Sequence, residues 1–173
     1  MRFVSCSFLL FLGLNACTVY SVAPASPAAV SRPAEFQEAF LSKINSVRAK
    51  GCNCGSTYMP PVPPLTWNYQ LQNSALLHAR DMNKRKYFSH TSQNGKSSKD
   101  RILEAGYEVK GYRSFAVGEN IAWGQRSIDE VMTGWLKSEG HCRNIMNKSF
   151  REVGVAMENY YWVQNFGGRT NKK

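Results

Sequence analysis

At 173 residues the chain has room for one domain of ordinary size with a core of its own. It carries 22 Lys and Arg against 12 Asp and Glu, a formal charge of +10, so its surface attracts anionic partners such as lipid headgroups, lipopolysaccharide phosphates or acidic glycans. The basic residues are scattered ("NKRK" at 83–86, "RTNKK" at the end) and form no long block, which argues against specific nucleic-acid binding and for a generally basic envelope protein.

The opening "MRFVSCSFLLFLGLNAC" has the order of a secretory signal: Arg2 as a short positive end, an apolar run from Phe3 to Leu14, and small Ala16 before Cys17. That run is too short to span a bilayer as an ordinary helix. The tetrapeptide "LNAC" (Leu14–Cys17) resembles a bacterial lipobox, whose cysteine becomes the lipid-modified first residue of the mature protein. Asn15 is an unusual choice at its position, so plain cleavage and secretion stays open. Residues 1–16 are thus expected to be a lipoprotein-type signal peptide, and lipid on Cys17 would tether the protein to a membrane. Thr18, rather than Asp, resembles sorting onward to an outer membrane. The expected location is the bacterial cell envelope, outer membrane or periplasm, or the medium if Cys17 is not acylated.

Residues 17–33 are small, Pro-punctuated and nearly uncharged, a flexible linker. The domain is expected over 34–168, followed by a basic tail at 169–173. From Ala34 the pattern is helical, with Phe36, Phe40, Leu41, Ile44 and Val47 on one face and Gly51 as the stop. "GCNCGSTYMPPVPP" reads as a loop. Asn68 caps a second helix that carries Leu71, Ala75, His78, Ala79 and Met82 on one stripe. Residues 98–105 form a short third helix closed by Gly106. A fourth starts at a capping box, Ser127 and Glu130, and buries Ile128, Val131 and Trp135. The period then changes: "EVGVAME" and "YYWVQNF" alternate about a turn at Asn159, a β-hairpin, and "FAVGENIAWG" is a further strand or a loop entering the core. Helices first and strands last, without βαβ alternation, indicate an α+β fold.

Cys6 leaves with the signal and Cys17 is the lipidation site, so Cys52, Cys54 and Cys142 remain in an oxidising compartment, where one bridge and one spare thiol is the simplest arithmetic. A zinc site on "CNC" is disfavoured, because C-x-C is tighter than the usual ligand spacing. His78 reads as a core or helix-surface histidine bonded to a carbonyl. His90 ends "KYFSH" and projects toward a cleft, His141 follows Gly140 at the end of the Trp135 helix, and Glu119 in "GEN" is inward-facing. Two imidazoles and carboxylates suit a divalent metal, zinc above all, although these residues match no local ligand motif. Cys142 beside His141 reads as a bonded cysteine rather than a nucleophile, and no G-x-S-x-G is present.

Taken together, "KYFSH", "GENIAWG", "VMTGWLKSEGHCRNIMN", "FREVGVAM" and "YYWVQNFG" resemble the bacterial branch of the CAP superfamily, the cysteine-rich secretory, venom antigen and pathogenesis-related proteins. The resemblance covers roughly residues 37–168. It implies a three-layer α-β-α sandwich with a central antiparallel sheet and a cleft, in which two histidines and two glutamates can hold a divalent ion. Residue by residue, His90, Glu119 and His141 match three of those positions. The fourth, W-x-x-E, falls on Ser138 when counted from Trp135, and Glu139 comes one residue late, turned by about 100° on a helix. The same alignment pairs Cys54 with Cys142 and leaves Cys52 as the odd thiol. Relatives share no single reaction. The expected function is a monomeric envelope protein whose cleft binds a lipid, a glycan or a cell-wall fragment, with one divalent ion assisting at low occupancy. The alternatives are a metal-assisted hydrolase using Glu119 as general base and a structural protein with a vestigial cleft.

Overall fold

The computed structural model describes residues 33–171, so the signal segment, Cys17 and nearly all of the linker lie outside the described residues. Among those described, five helices and six strands follow in the order α1 (Pro33–Lys50), β1 (Cys52–Cys54), β2 (Thr57–Met59), β3 (Thr66–Trp67), α2 (Tyr69–Arg85), α3 (Ser98–Glu104), β4 (Ser114–Trp123), α4 (Ile128–Lys137), α5 (Glu139–Ile145), β5 (Glu152–Glu158) and β6 (Tyr161–Thr170).

The central sheet has the order β3-β5-β6-β4. It is antiparallel except for the two-residue β3, which runs parallel to β5 at the edge. Side chains alternate across it, as the period of a strand requires. On one face Val153, Val155, Trp162 and Phe166 pack with Phe40 and Ile44 of α1, Val131 and Trp135 of α4, and Ile145 of α5. On the other face Ile121, Ala156 and Val163 pack with Ala75, Ala79 and Met82 of α2, and Leu71 meets Ile102 of α3. Three layers result: α1, α4 and α5, then the sheet, then α2 and α3.

The stripe expected on the second helix is buried at every position, and Asn68 caps that helix by accepting from Leu71 N. Ser127 accepts from Glu130 N at the start of α4, while the Glu130 carboxylate reaches back one residue further, to Arg126 N. The β5–β6 hairpin turns through Asn159 and Tyr160, both at positive φ (47° and 65°), the pairing that a two-residue turn of this hand requires.

Two segments differ from their sequence reading. "GCNCGSTYMPPVPP" is not all loop: its first half is a small antiparallel hairpin, β1–β2, in which Cys54 faces Thr57 and Gly55 supplies the positive φ of the turn. The prolines that suggest a loop come only after β2. The segment after Trp135 does not simply end a helix either. The chain breaks at Ser138, whose backbone is extended, and restarts as α5. Arg48, on the apolar side of α1, is fully buried and donates to four carbonyls, those of Pro63, Ile145, Asn147 and Phe150. Burial first, then the neighbouring Arg151, lowers its pKa to about 10.

Candidate functional site

Glu119 lies on β4 with its side chain 2% exposed, on the sheet face covered by α2 and α3. Both carboxylate oxygens are engaged. Oε2 accepts from Arg101 Nη2 at 2.7 Å, and Oε1 lies 2.9 Å from His90 Nδ1. Arg101 is itself buried and also donates to Ser92 Oγ (3.1 Å) and to the Lys96 carbonyl (3.0 Å). With its amide oriented to satisfy its neighbours, Asn165 adds a third donor to Glu119, at 3.2 Å from Oε2. A carboxylate removed from water needs such a set, because an unpaired buried charge is strongly unfavourable.

Local sequence explains how these groups arrive. α2 stops at Lys86, which takes the left-handed conformation (φ 54°) and donates its N–H to Met82 O. Tyr87 then ties back to Asp81 at 2.5 Å, and His78 bonds the Ser89 carbonyl at 2.9 Å, so the residue before His90 is held from α2. Burial pushes the His78 imidazole below its usual range, so the ring is neutral at pH 7 and donates from Nε2. The carbonyl-bonded reading of His78 is what the structure contains. Arg101 is delivered by α3, which begins in a reciprocal capping box of Ser97 and Asp100.

α5 holds β4 from the opposite layer. Asn144 donates to the Glu119 carbonyl (3.2 Å) and to Asn120 Oδ1 (2.9 Å), and Asn120 donates to the His141 carbonyl (3.2 Å) and to Gln164 Oε1 (2.9 Å). This chain of amides fixes α5 against the strand that carries Glu119. His141 is half-buried; desolvation, then the nearby His90, lowers its pKa. The two imidazoles therefore share one electrostatic neighbourhood.

Cys54 and Cys142 are bonded, with Cα atoms 5.4 Å apart, and Cys52 is free. Glu139 is turned to that side of α5 and not toward Glu119. Its carboxylate lies against Gly55 in the β1–β2 turn and pairs with Arg143 at 2.8 Å, while Arg143 also donates to Thr57 Oγ1 at 3.0 Å. The shift of one residue from W-x-x-E therefore takes the side chain out of the expected set. Ser138 serves as the joint between α4 and α5 and makes no side-chain cap bond.

The residues do not fit the four-ligand metal centre that the resemblance implies. Both Glu119 oxygens already accept hydrogen bonds from Arg101 and His90, Glu139 is engaged elsewhere, and among the described residues the only three His, Cys, Asp or Glu ligand atoms within 4.8 Å of one another belong to Cys52, Cys54 and Cys142. Arg101 is the functional residue that the sequence reading missed. A signal existed: an inward-facing glutamate requires a buried cation, and Arg101 stands beside Ile102 on the short third helix.

Residues 41–166 match the family model of CAP, the cysteine-rich secretory protein family. The chain belongs to that family. Its CAP domain is 36% identical over 108 residues to the uncharacterized protein YkwD of Bacillus subtilis (strain 168), a match covering 61% of this chain and 40% of that one. It is 34% identical over 102 residues to the uncharacterized membrane protein YlbC of the same strain, covering 59% of this chain and 28% of that one. The aligned part is thus less than half of either relative. Among solved structures, an extracellular protein containing a SCP domain from Bacillus anthracis str. Ames superposes with a TM-score of 0.60 at 25% identity, covering 86% of this chain and 45% of that one.

Proposed function

We propose that this is an exported, membrane-tethered protein of a bacterial envelope, whose cleft between His90 and His141 binds an acidic glycan or cell-wall fragment without transforming it. The observation that carries the reading is the state of Glu119. A general base must reach the proton it removes, and here Glu119 is 2% exposed, with Arg101 and His90 already donating to its two oxygens. What the site offers outward is His90, whose side chain is 55% exposed, and half-buried His141, close enough for His90 to lower its pKa. The formal charge of +10 favours an acidic ligand. Export and tethering are supported by the signal-like start with its lipobox at Leu14–Cys17, by the extracellular SCP protein and by the membrane protein among the relatives.

The test is calorimetric titration of the purified protein with solubilised acidic wall fragments, neutral glycans and anionic lipid micelles. Saturable binding of the acidic fragments, weakened at least tenfold in a His90→Ala/His141→Ala double variant, is expected. Equal affinity in that variant would reduce the cleft to a vestige. Preference for the micelles would move the ligand class to lipid, and fragment cleavage that a chelator stops would replace binding with hydrolysis.

A further inference from the structure

Cys52 lies two residues from Cys54 on β1, so both side chains project from the same face of that strand. That face meets α5, where Cys142 is bonded to Cys54. The free Cys52 Sγ lies 3.7 Å from Cys142 Sγ, and the sulphurs of all three residues lie within 4.8 Å of one another. Cys142 therefore has two partners within reach and is bonded to one of them.

We propose that Cys52, Cys54 and Cys142 form an internal thiol–disulfide exchange site, in which Cys142 passes between two partners on β1. The step is balanced without any external oxidant or reductant. Cys52 gives up its proton to solvent and its thiolate attacks Cys142 Sγ. The Cys52–Cys142 bond forms, the Cys54–Cys142 bond breaks, and Cys54 leaves as a thiolate that takes up a proton. The three sulphurs form a compact triangle rather than a line, so Cys52 turns about χ1 before it attacks. Burial pushes the Cys52 thiol up, which keeps the thiolate fraction small and makes the exchange slow rather than absent.

The consequence reaches the cleft. α5 carries His141 and Asn144, and it is attached to the hairpin by this bridge, by Arg143 on Thr57 and by Glu139 against Gly55. Passing the bridge from Cys54 to Cys52 moves the anchor two residues, about 7 Å, along β1. It also exchanges which cysteine is the free thiol. This site is independent of the ligand-binding reading above and stands or falls separately from it.

The experiment treats the purified full-length protein, without reductant, with excess maleimide at pH 8 for several hours. After acid quench and digestion, fragment mass spectrometry locates the label on Cys52, Cys54 and Cys142. The exchange predicts two singly labelled populations, one on Cys52 and one of at least a tenth as much on Cys54, with Cys142 unlabelled in both. Label on Cys52 alone overturns the proposal. So does label on Cys54 only in molecules that also carry it on Cys142, since those were never bridged. In a Cys54→Ser variant, a Cys52–Cys142 crosslinked peptide is expected; free Cys52 and Cys142 in folded variant would equally overturn it.

Discussion

Arg101 reaches Glu119 from a helix of seven residues, and the pair is buried on both sides, at 9% and 2% side-chain exposure. Removing one partner strands the other charge. Arg101→Met is expected to cost about 3–5 kcal/mol of stability, whereas Arg101→Met with Glu119→Gln recovers most of it. Urea denaturation of the three proteins checks this, and a loss below about 1 kcal/mol in the single variant contradicts the role given to the pair. His78 supplies a pH prediction. Its folded pKa is lowered by burial, so between the folded and unfolded values the unfolded chain binds the extra proton. Its contribution is complete above the unfolded value, near pH 6.5, and is lost as the pH falls below it. The half-buried His141 is shifted in the same direction. Unfolding free energy measured from pH 8 to 5 should thus drop below about pH 6.5, more shallowly in His78→Gln than in the native protein.

At the level of elements, α2 rests directly on β5. A Cβ added at Gly154 would stand 2.1 Å from Gln72 N and 2.5 Å from Leu71 C, both backbone atoms that no rotamer change can clear. Gly154→Ala is therefore expected to lose roughly 1–3 kcal/mol or more through overpacking, visible as a lowered Tm; an unchanged Tm would mean that helix and sheet are not in this contact. The same elements show what a sequence can carry. α2, α4 and the β5–β6 hairpin were legible because each has a strong local signature: an Asn68 or Ser127 cap, a buried stripe, and alternation about Asn159. The β1–β2 hairpin was not, because three-residue strands have no period to detect and Pro60, Pro61, Pro63 and Pro64 dominate the composition. α5 was missed because its start at Ser138 has no side-chain cap. His90, Glu119 and His141 stood out as the few imidazoles and the inward-facing carboxylate, family motifs then aligned them, and Glu119 and His90 do meet. An inward-facing Glu119 called for a buried cation, but a sequence separation of 18 between a helix residue and a strand residue leaves no spacing rule that singles out Arg101.

For the molecule as a whole, the CAP domain is one piece of the reading and the segment before Pro33 the other. Cys17→Ser is predicted to move the exported protein from the membrane pellet to the soluble fraction; retention in the pellet at high salt would mean that Cys17 does not tether it, since salt screens surface charge. No helix among the described residues is long and apolar enough to cross a membrane. The central claim concerns the cleft: a site locked for binding rather than poised for hydrolysis. Its most direct test is histidine-detected NMR of the full chain during titration with acidic wall fragments, with the fragment spectrum followed in the same tube. The account predicts saturable shifts of the His90 and His141 ring signals while the fragment spectrum stays unchanged for hours. Ring signals that never move, or fragment signals that convert to product, would contradict it.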